Sequence, residues 1–140
     1  MNCELTYIEA VPSDSGLLTE TAFISKQMWG YSNELMNLWK PDLEISEEYL
    51  LRNKVVKVFA ENIFIGFFVI KTTANEKLEI DHLWLMPDKT RMGYGKLIFR
   101  NILDYLKAEG HQKVALMAEP NAKDFMRKWE VRLLANLKAK

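Results

Sequence analysis

Cysteine is close to absent. Cys3 is the only one among 140 residues, which excludes an internal disulfide and a multi-cysteine metal site and fits a reducing cytoplasm. Placed at the head of a strand-like stretch, it reads as an incidental residue rather than a nucleophile. Histidine is scarce too. His82 and His111 are the two available, a helical stretch separates them, and no metal site is expected. Net charge is also missing, with 19 basic and 19 acidic residues, so nothing global draws the chain to nucleic acid or to an anionic membrane, and any electrostatic role must be local. No apolar run approaches the roughly 20 residues that span a bilayer. The opening "MNCELTYIEA" lacks the basic segment and long apolar core of a signal peptide, so the protein is expected to be soluble and cytoplasmic. Repeats, low-complexity tracts and linkers are absent, and 49% hydrophobic residues suffice for one core, giving a single domain over 1–140.

What is present alternates between strand and helix signals. Leu5 to Val11 reads as a first strand closed by Pro12 and "SDSG". Helical spacing runs from Leu17 to Trp29, again from Asn33 to Lys40 with a stop at Pro41, and a short capped helix is expected in "SEEYLLRN" from Ser46. Three strand-like runs follow, Val55 to Ala60, Ile63 to Lys71 and Leu78 to Met86, and their short connections favour antiparallel hairpins. Leu97, Ile98, Ile102, Leu103 and Leu106 predict a long helix ending at Gly110. Lys113 to Ala118 reads as a strand and "PNAKDFMRKW" as a helix start, with Val131 to Leu137 either a last strand or a continued helix. The order predicts an α/β (α+β) domain: a mixed, mostly antiparallel sheet with helices packed on it.

Two stretches carry chemistry. In "MPDKTRMGYGKLIF", Gly93 and Gly95 stand between a strand and the long helix. Unpartnered N–H groups, the positive end of the macrodipole and missing β-carbons make such a junction fit for an anion, most plausibly a phosphate, and Lys89, Arg91 and Lys96 add charge. A tight connection without a ligand is the plainer alternative. GxGxxG and GxxxxGK[ST] are both absent. In "LEIDHLWLMP", strict alternation places Glu79, Asp81, Leu83 and Leu85 on one face and Ile80, His82, Trp84 and Met86 on the other. Two carboxylates in a mostly apolar strand suit a general base, or else lie paired at a solvated strand end. His82 reads as a packed or hydrogen-bonded histidine.

Together "LEIDHLWLMPDKTRMGYGKLIFRNILDYLKAEG" and, further on, "EPNAKDF" resemble the motifs of the GNAT superfamily of N-acetyltransferases, and the element order resembles the GNAT fold. The resemblance implies acetyl-CoA as acetyl donor. It also implies that the backbone of Arg91, Met92, Gly93, Gly95 and Lys96, with Tyr94 beside it, holds the pyrophosphate. Leu83 and Leu85 would pair with the pantetheine arm, the Leu85 amide would polarise the thioester carbonyl, Asn121 would bond the pantetheine and Phe125 would line its channel. Glu79 falls at the catalytic glutamate of histone acetyltransferases, and Asp81 where other members place a histidine. Three features depart from the pattern. Thr90 stands at the [Q/R] position, Met126 replaces the tyrosine that protonates the thiolate, and the short tail leaves little room for a last strand, so that a homodimer would cover the exposed edge. Acceptor specificity is expected from Met28 to Tyr49, where Trp29, Tyr31, Trp39, Tyr49, Asp42, Glu44, Glu47 and Glu48 suit a small-molecule or peptide amine. Those aromatics and acids are equally read as core and solvated face. A coenzyme-binding module without turnover, serving as sensor or partner subunit, is the alternative to an enzyme.

Overall fold

The computed structural model describes residues 5–72, 77–90, 92–117 and 128–132. Among them are β1 (Leu5–Glu9), α1 (Ser15–Gln27), α2 (Asn33–Leu43), α3 (Glu47–Arg52), β2 (Lys54–Ala60), β3 (Ile63–Thr72), β4 (Leu78–Leu85), α4 (Tyr94–Ala108), β5 (Lys113–Met117) and β6 (Lys128–Arg132). The strands form one sheet in chain order, β1 to β6. Every pairing is antiparallel except β4 with β5, where α4 makes the crossover. This is the mixed, mostly antiparallel α/β sheet that the pattern predicts. Of the tail read as strand or helix, Val131 and Arg132 belong to β6 and 133–137 lie outside the described residues; β6 begins earlier, with Lys128 and Trp129, assigned to a helix, and lines the outer edge of β5.

The central strands β2 and β3 are buried on both faces. Against α1, α2 and α3 the sheet presents Val55, Phe67 and Val69, which pack with Leu18, Ala22, Met36, Ile45 and Leu50. Against α4 it presents Val56, Val58, Phe68, Ile70 and Ile80, which meet Ile98, Ile102 and Leu106 at helical spacing. β3 serves both cores at once, which explains why its interior reads as a continuous apolar run. The α1–α3 layer is pinned by hydroxyls. Ser15 Oγ donates to the Ile45 carbonyl at 2.7 Å and the Ile45 N–H donates to Thr19 Oγ1 at 2.9 Å, so a fully buried linker residue keeps its backbone satisfied.

Three boundaries differ from expectation, each for a local reason. β1 ends at Glu9 rather than Val11 because Pro12 already opens a turn. α2 runs through Pro41 to Leu43, since a proline in the last turn removes one N–H only as the helix ends. α4 begins at Tyr94, a turn before its apolar face becomes legible, with Gly93 as its cap at φ +85°.

The alternation expected along β4 fails. Opposite β3, Ile70 faces Ile80 but Val69 faces His82, so Asp81 is an extra residue, a β-bulge. The bulge reverses the faces. Leu78 and Ile80 join Leu83 and Leu85 against the α4 core, whereas Trp84 packs with the α1–α3 core. Glu79 therefore lies on the face of His82 and Trp84, not with Leu83 and Leu85 as strict alternation implies.

Candidate active site

β4 and β5 pair only at Glu79 with Ala115 and Ile80 with Leu116. From Asp81 onward β4 has β3 on one side and no described partner strand on the other. The Met86 N–H donates to the Ile65 carbonyl of β3 at 2.8 Å. Counting back by twos, Trp84 and His82 also point their N–H groups at β3, and those of Leu83 and Leu85 point into the space that β5 has left. One carbonyl there is occupied already, because Ser25 Oγ of α1 donates to Leu85 O at 2.6 Å.

The start of α4 borders that space. A β-carbon added to Gly95 would stand 3.5 Å from Leu85 Cδ1, so the helix N-terminus sits against the end of β4. The first intrahelical bond is from the Leu97 N–H to the Gly93 carbonyl, at 3.2 Å. Among the described residues no side chain caps this end, and the N–H groups of Gly95 and Lys96 precede the first helical bond. Gly93 reaches φ +85°, a value most L-residues avoid, and this lets the chain turn sharply from the loop into the helix. Thr90 does not reach outward: its hydroxyl donates to the Pro87 carbonyl at 3.0 Å and closes the short turn after β4. Met92 is exposed, Lys96 is exposed, and Tyr94 packs partly buried against the α4 core.

At the apex of the cleft, where β5 leaves, four polar side chains gather. Tyr49 of α3 donates its hydroxyl to Asp81 Oδ2, in a helix whose cap Ser46 accepts from the Tyr49 N–H at 3.1 Å. The same oxygen of Asp81 lies 3.8 Å from His82 Nε2. Trp84 Nε1–H donates to His82 Nδ1 at 2.8 Å, which leaves the proton of a neutral imidazole on Nε2, toward Asp81. Burial pushes the Tyr49 phenol well above its ordinary range, and Asp81 and Glu79 both add to the rise. Burial also holds His82 below the ordinary imidazole value, outweighing Asp81 and Asp42, which act the other way; Lys71 adds to the lowering. A neutral histidine and a protonated phenol thus flank a carboxylate at neutral pH.

The cleft, the uncapped helix and the acids at its apex coincide with a family-level match. A model of the acetyltransferase (GNAT) family matches residues 21–129. The chain belongs to the GNAT family. This GNAT domain resembles paia N-acetyltransferase from Thermoplasma acidophilum in complex with coenzyme A, at 20% identity over 92% of this chain and 99% of that one, with a TM-score of 0.72. An acetyltransferase from Thermus thermophilus is similar at 16% identity, 95% and 100% coverage and TM-score 0.68. A GNAT family acetyltransferase from Brucella melitensis in complex with acetyl-CoA is similar at 12% identity, 95% and 90% coverage and TM-score 0.60. At these identities the likeness is one of fold. No curated protein matches the sequence.

Of the residues expected at the site of this GNAT domain, Leu83, Leu85, Met92, Gly93, Tyr94, Gly95 and Lys96 border the cleft or the helix start, and Glu79 and Asp81 lie at its apex. Arg91, Asn121, Phe125 and Met126 fall outside the described residues. The aromatics assigned to acceptor binding separate. Tyr31 and Trp39 meet edge to face at 4.7 Å, with the chain's own Lys26 ammonium 5.2 Å and 4.4 Å from their ring centres, whereas Trp29 is exposed and Tyr49 joins the acids. Sequence reasoning missed Ser25 and Lys26. Nothing in the spacing of Ser25 points to a strand sixty residues away.

Proposed function

We propose that this GNAT domain is an N-acetyltransferase that moves the acetyl group of acetyl-CoA to a primary amine by direct attack, with Asp81 or Glu79 as general base. The observation that carries it is the parting of β4 from β5 beside the uncapped N-terminus of α4. Backbone N–H groups for an anion and a strand edge for an extended amide chain lie end to end there, in the order in which coenzyme A presents its pyrophosphate and pantetheine. The relatives from Thermoplasma acidophilum and Brucella melitensis, crystallised with coenzyme A and acetyl-CoA, support the same donor.

With the pyrophosphate at Gly93–Lys96, and the loop residues Met92 and Arg91 beside it, the arm passes Leu85 before Leu83. Two strand residues cover about 7 Å, so the thioester falls nearer the apex. The Leu83 amide is then better placed than that of Leu85 to donate to the developing oxyanion. Asn121 and Phe125 keep the roles that their motif implies. The acceptor approaches from the α1–α3 side, as R–NH3+. One proton passes to the carboxylate, the freed lone pair forms the C–N bond, and the C–S bond breaks as the carbonyl re-forms. The thiolate takes the second proton of the attacking nitrogen, so a tyrosine at the position of Met126 is not required for balance.

Thiol release from acetyl-CoA with a panel of primary amines tests this. At least one amine is expected to raise release well above hydrolysis. Coenzyme binding with no amine raising release would instead mark a coenzyme-binding module.

A further inference from the structure

Asp81 is the extra residue of the β4 bulge, and both of its described contacts are made by one oxygen. Oδ2 accepts the Tyr49 hydroxyl and faces His82 Nε2 at 3.8 Å. Among the described residues nothing engages Oδ1, and the Asp81 side chain keeps 24% of its surface exposed. The two groups on Oδ2 are fixed from behind. Tyr49 stands in the first turn of a helix capped by Ser46, its carbonyl accepts from Asn53 Nδ2 at 3.0 Å, and its ring meets that of His82 edge to face at 6.0 Å. The ring of His82 lies stacked 6.2 Å from Phe67, which is fully buried, and its Nδ1 is held by the Trp84 indole.

We propose that Tyr49 and His82 are positioning residues that hold Oδ2 of Asp81 and so present Oδ1 alone to the acceptor amine. Resting on Asp81 as the base of the proposed transfer, this assigns the two oxygens different tasks. A carboxylate free to rotate would offer its lone pairs in many directions, whereas one pinned through Oδ2 offers a single basic edge into the cleft. The other charged groups bearing on the cluster are Glu79 on the same strand, Lys71 on β3 and Asp42 on α2. None of them belongs to α3, so replacing Tyr49 leaves them in place.

The test does not require the acceptor. In protein labelled with carbon-13 at aspartate carboxyls, the Asp81 signal is identified by its loss in Asp81→Asn and compared at neutral pH between wild type and Tyr49→Phe. Loss of the hydrogen bond on Oδ2 is expected to displace that signal. His82→Gln, which keeps a donor near Oδ2, is expected to move it less than Tyr49→Phe. With an amine that turns over, kcat of Tyr49→Phe is expected to fall about tenfold through lost orientation, with KM for acetyl-CoA unchanged. An Asp81 signal at the same position in wild type and Tyr49→Phe would overturn the assignment, as would a Tyr49→Phe enzyme with the wild-type kcat. Failure to bind acetyl-CoA bears on the proposed function alone, because the carboxyl signal is read without it.

Discussion

In the proposed transfer Glu79 and Asp81 are unequal candidates for the base. Glu79 is 8% exposed and lies across from Lys71 on β3, whereas Asp81 sits on the bulge with 24% of its side-chain surface exposed. Asp81→Asn is expected to lower kcat/KM by about a hundredfold or more, within the range of general base catalysis, and to remove the acid limb of its pH profile; Glu79→Gln is expected to cost about tenfold. A pH profile unchanged in both variants would refute the base assignment. His82 makes the cluster pH-sensitive in stability. Its folded value lies below the ordinary 6.5, so in the window beneath 6.5 the unfolded chain binds the extra proton and the folded one does not. Stability is present above that window and falls as pH drops through it. Melting temperature is therefore expected to decline below pH 6.5 in wild type and to decline less in His82→Gln, measured by thermal unfolding at stepped pH. Both carboxylates were legible in the sequence as chemical candidates. Their partners Tyr49 and His82 were not, because a hydroxyl on a distant short helix has no spacing that marks it.

At the scale of elements, the junction between β4 and α4 was legible from two glycines, while β4 itself was misread. Period-two counting assumes an uninterrupted strand, and a single inserted residue at Asp81 exchanges the faces before it. Side-chain type alone does not mark the insertion, since the residue that bulges is polar and polar Glu79 and His82 stand close to it in the strand. The bulge sets Asp81 at the apex of the cleft while Leu83 and Leu85 stay seated against α4. Gly93→Ala should destabilise the protein by about 1 kcal/mol through its left-handed backbone, and raise KM for acetyl-CoA severalfold by shifting the amides of α4, with kcat at saturation largely kept. Gly66 is needed for a different reason: a β-carbon there would overlap the Trp84 carbonyl oxygen and stand 3.0 Å from Leu85 Cα. Gly66→Ala should cost about 3 kcal/mol in chemical denaturation, as overpacking does. A cost below about 1 kcal/mol would show that β3 and β4 separate easily at this point.

Across the whole molecule, the predicted order of strands and helices became two cores on the two faces of one sheet, and that much was legible because hydrophobic periodicity and turn residues report it directly. What stayed hidden was which surface the aromatics of α1 to α3 would serve. Tyr31 and Trp39 surround Lys26, itself only 7% exposed, so this part of the layer holds a cation of its own, while Trp29 is exposed and Tyr49 joins the acids. No helix among the described residues is long and apolar enough to cross a membrane. The cleft between β4 and β5 runs from the acids at its apex to the start of α4, and the proposed transfer would bring donor and acceptor together at that apex. Titration calorimetry of the full chain with acetyl-CoA tests this arrangement most directly. One site with a dissociation constant in the micromolar range is expected, with a thermal stabilisation equivalent to about 2.7 kcal/mol at a hundredfold excess over that constant, and with binding weakened severalfold in Gly93→Ala. No heat and no stabilisation at millimolar acetyl-CoA would contradict the assignment of the cleft to coenzyme A.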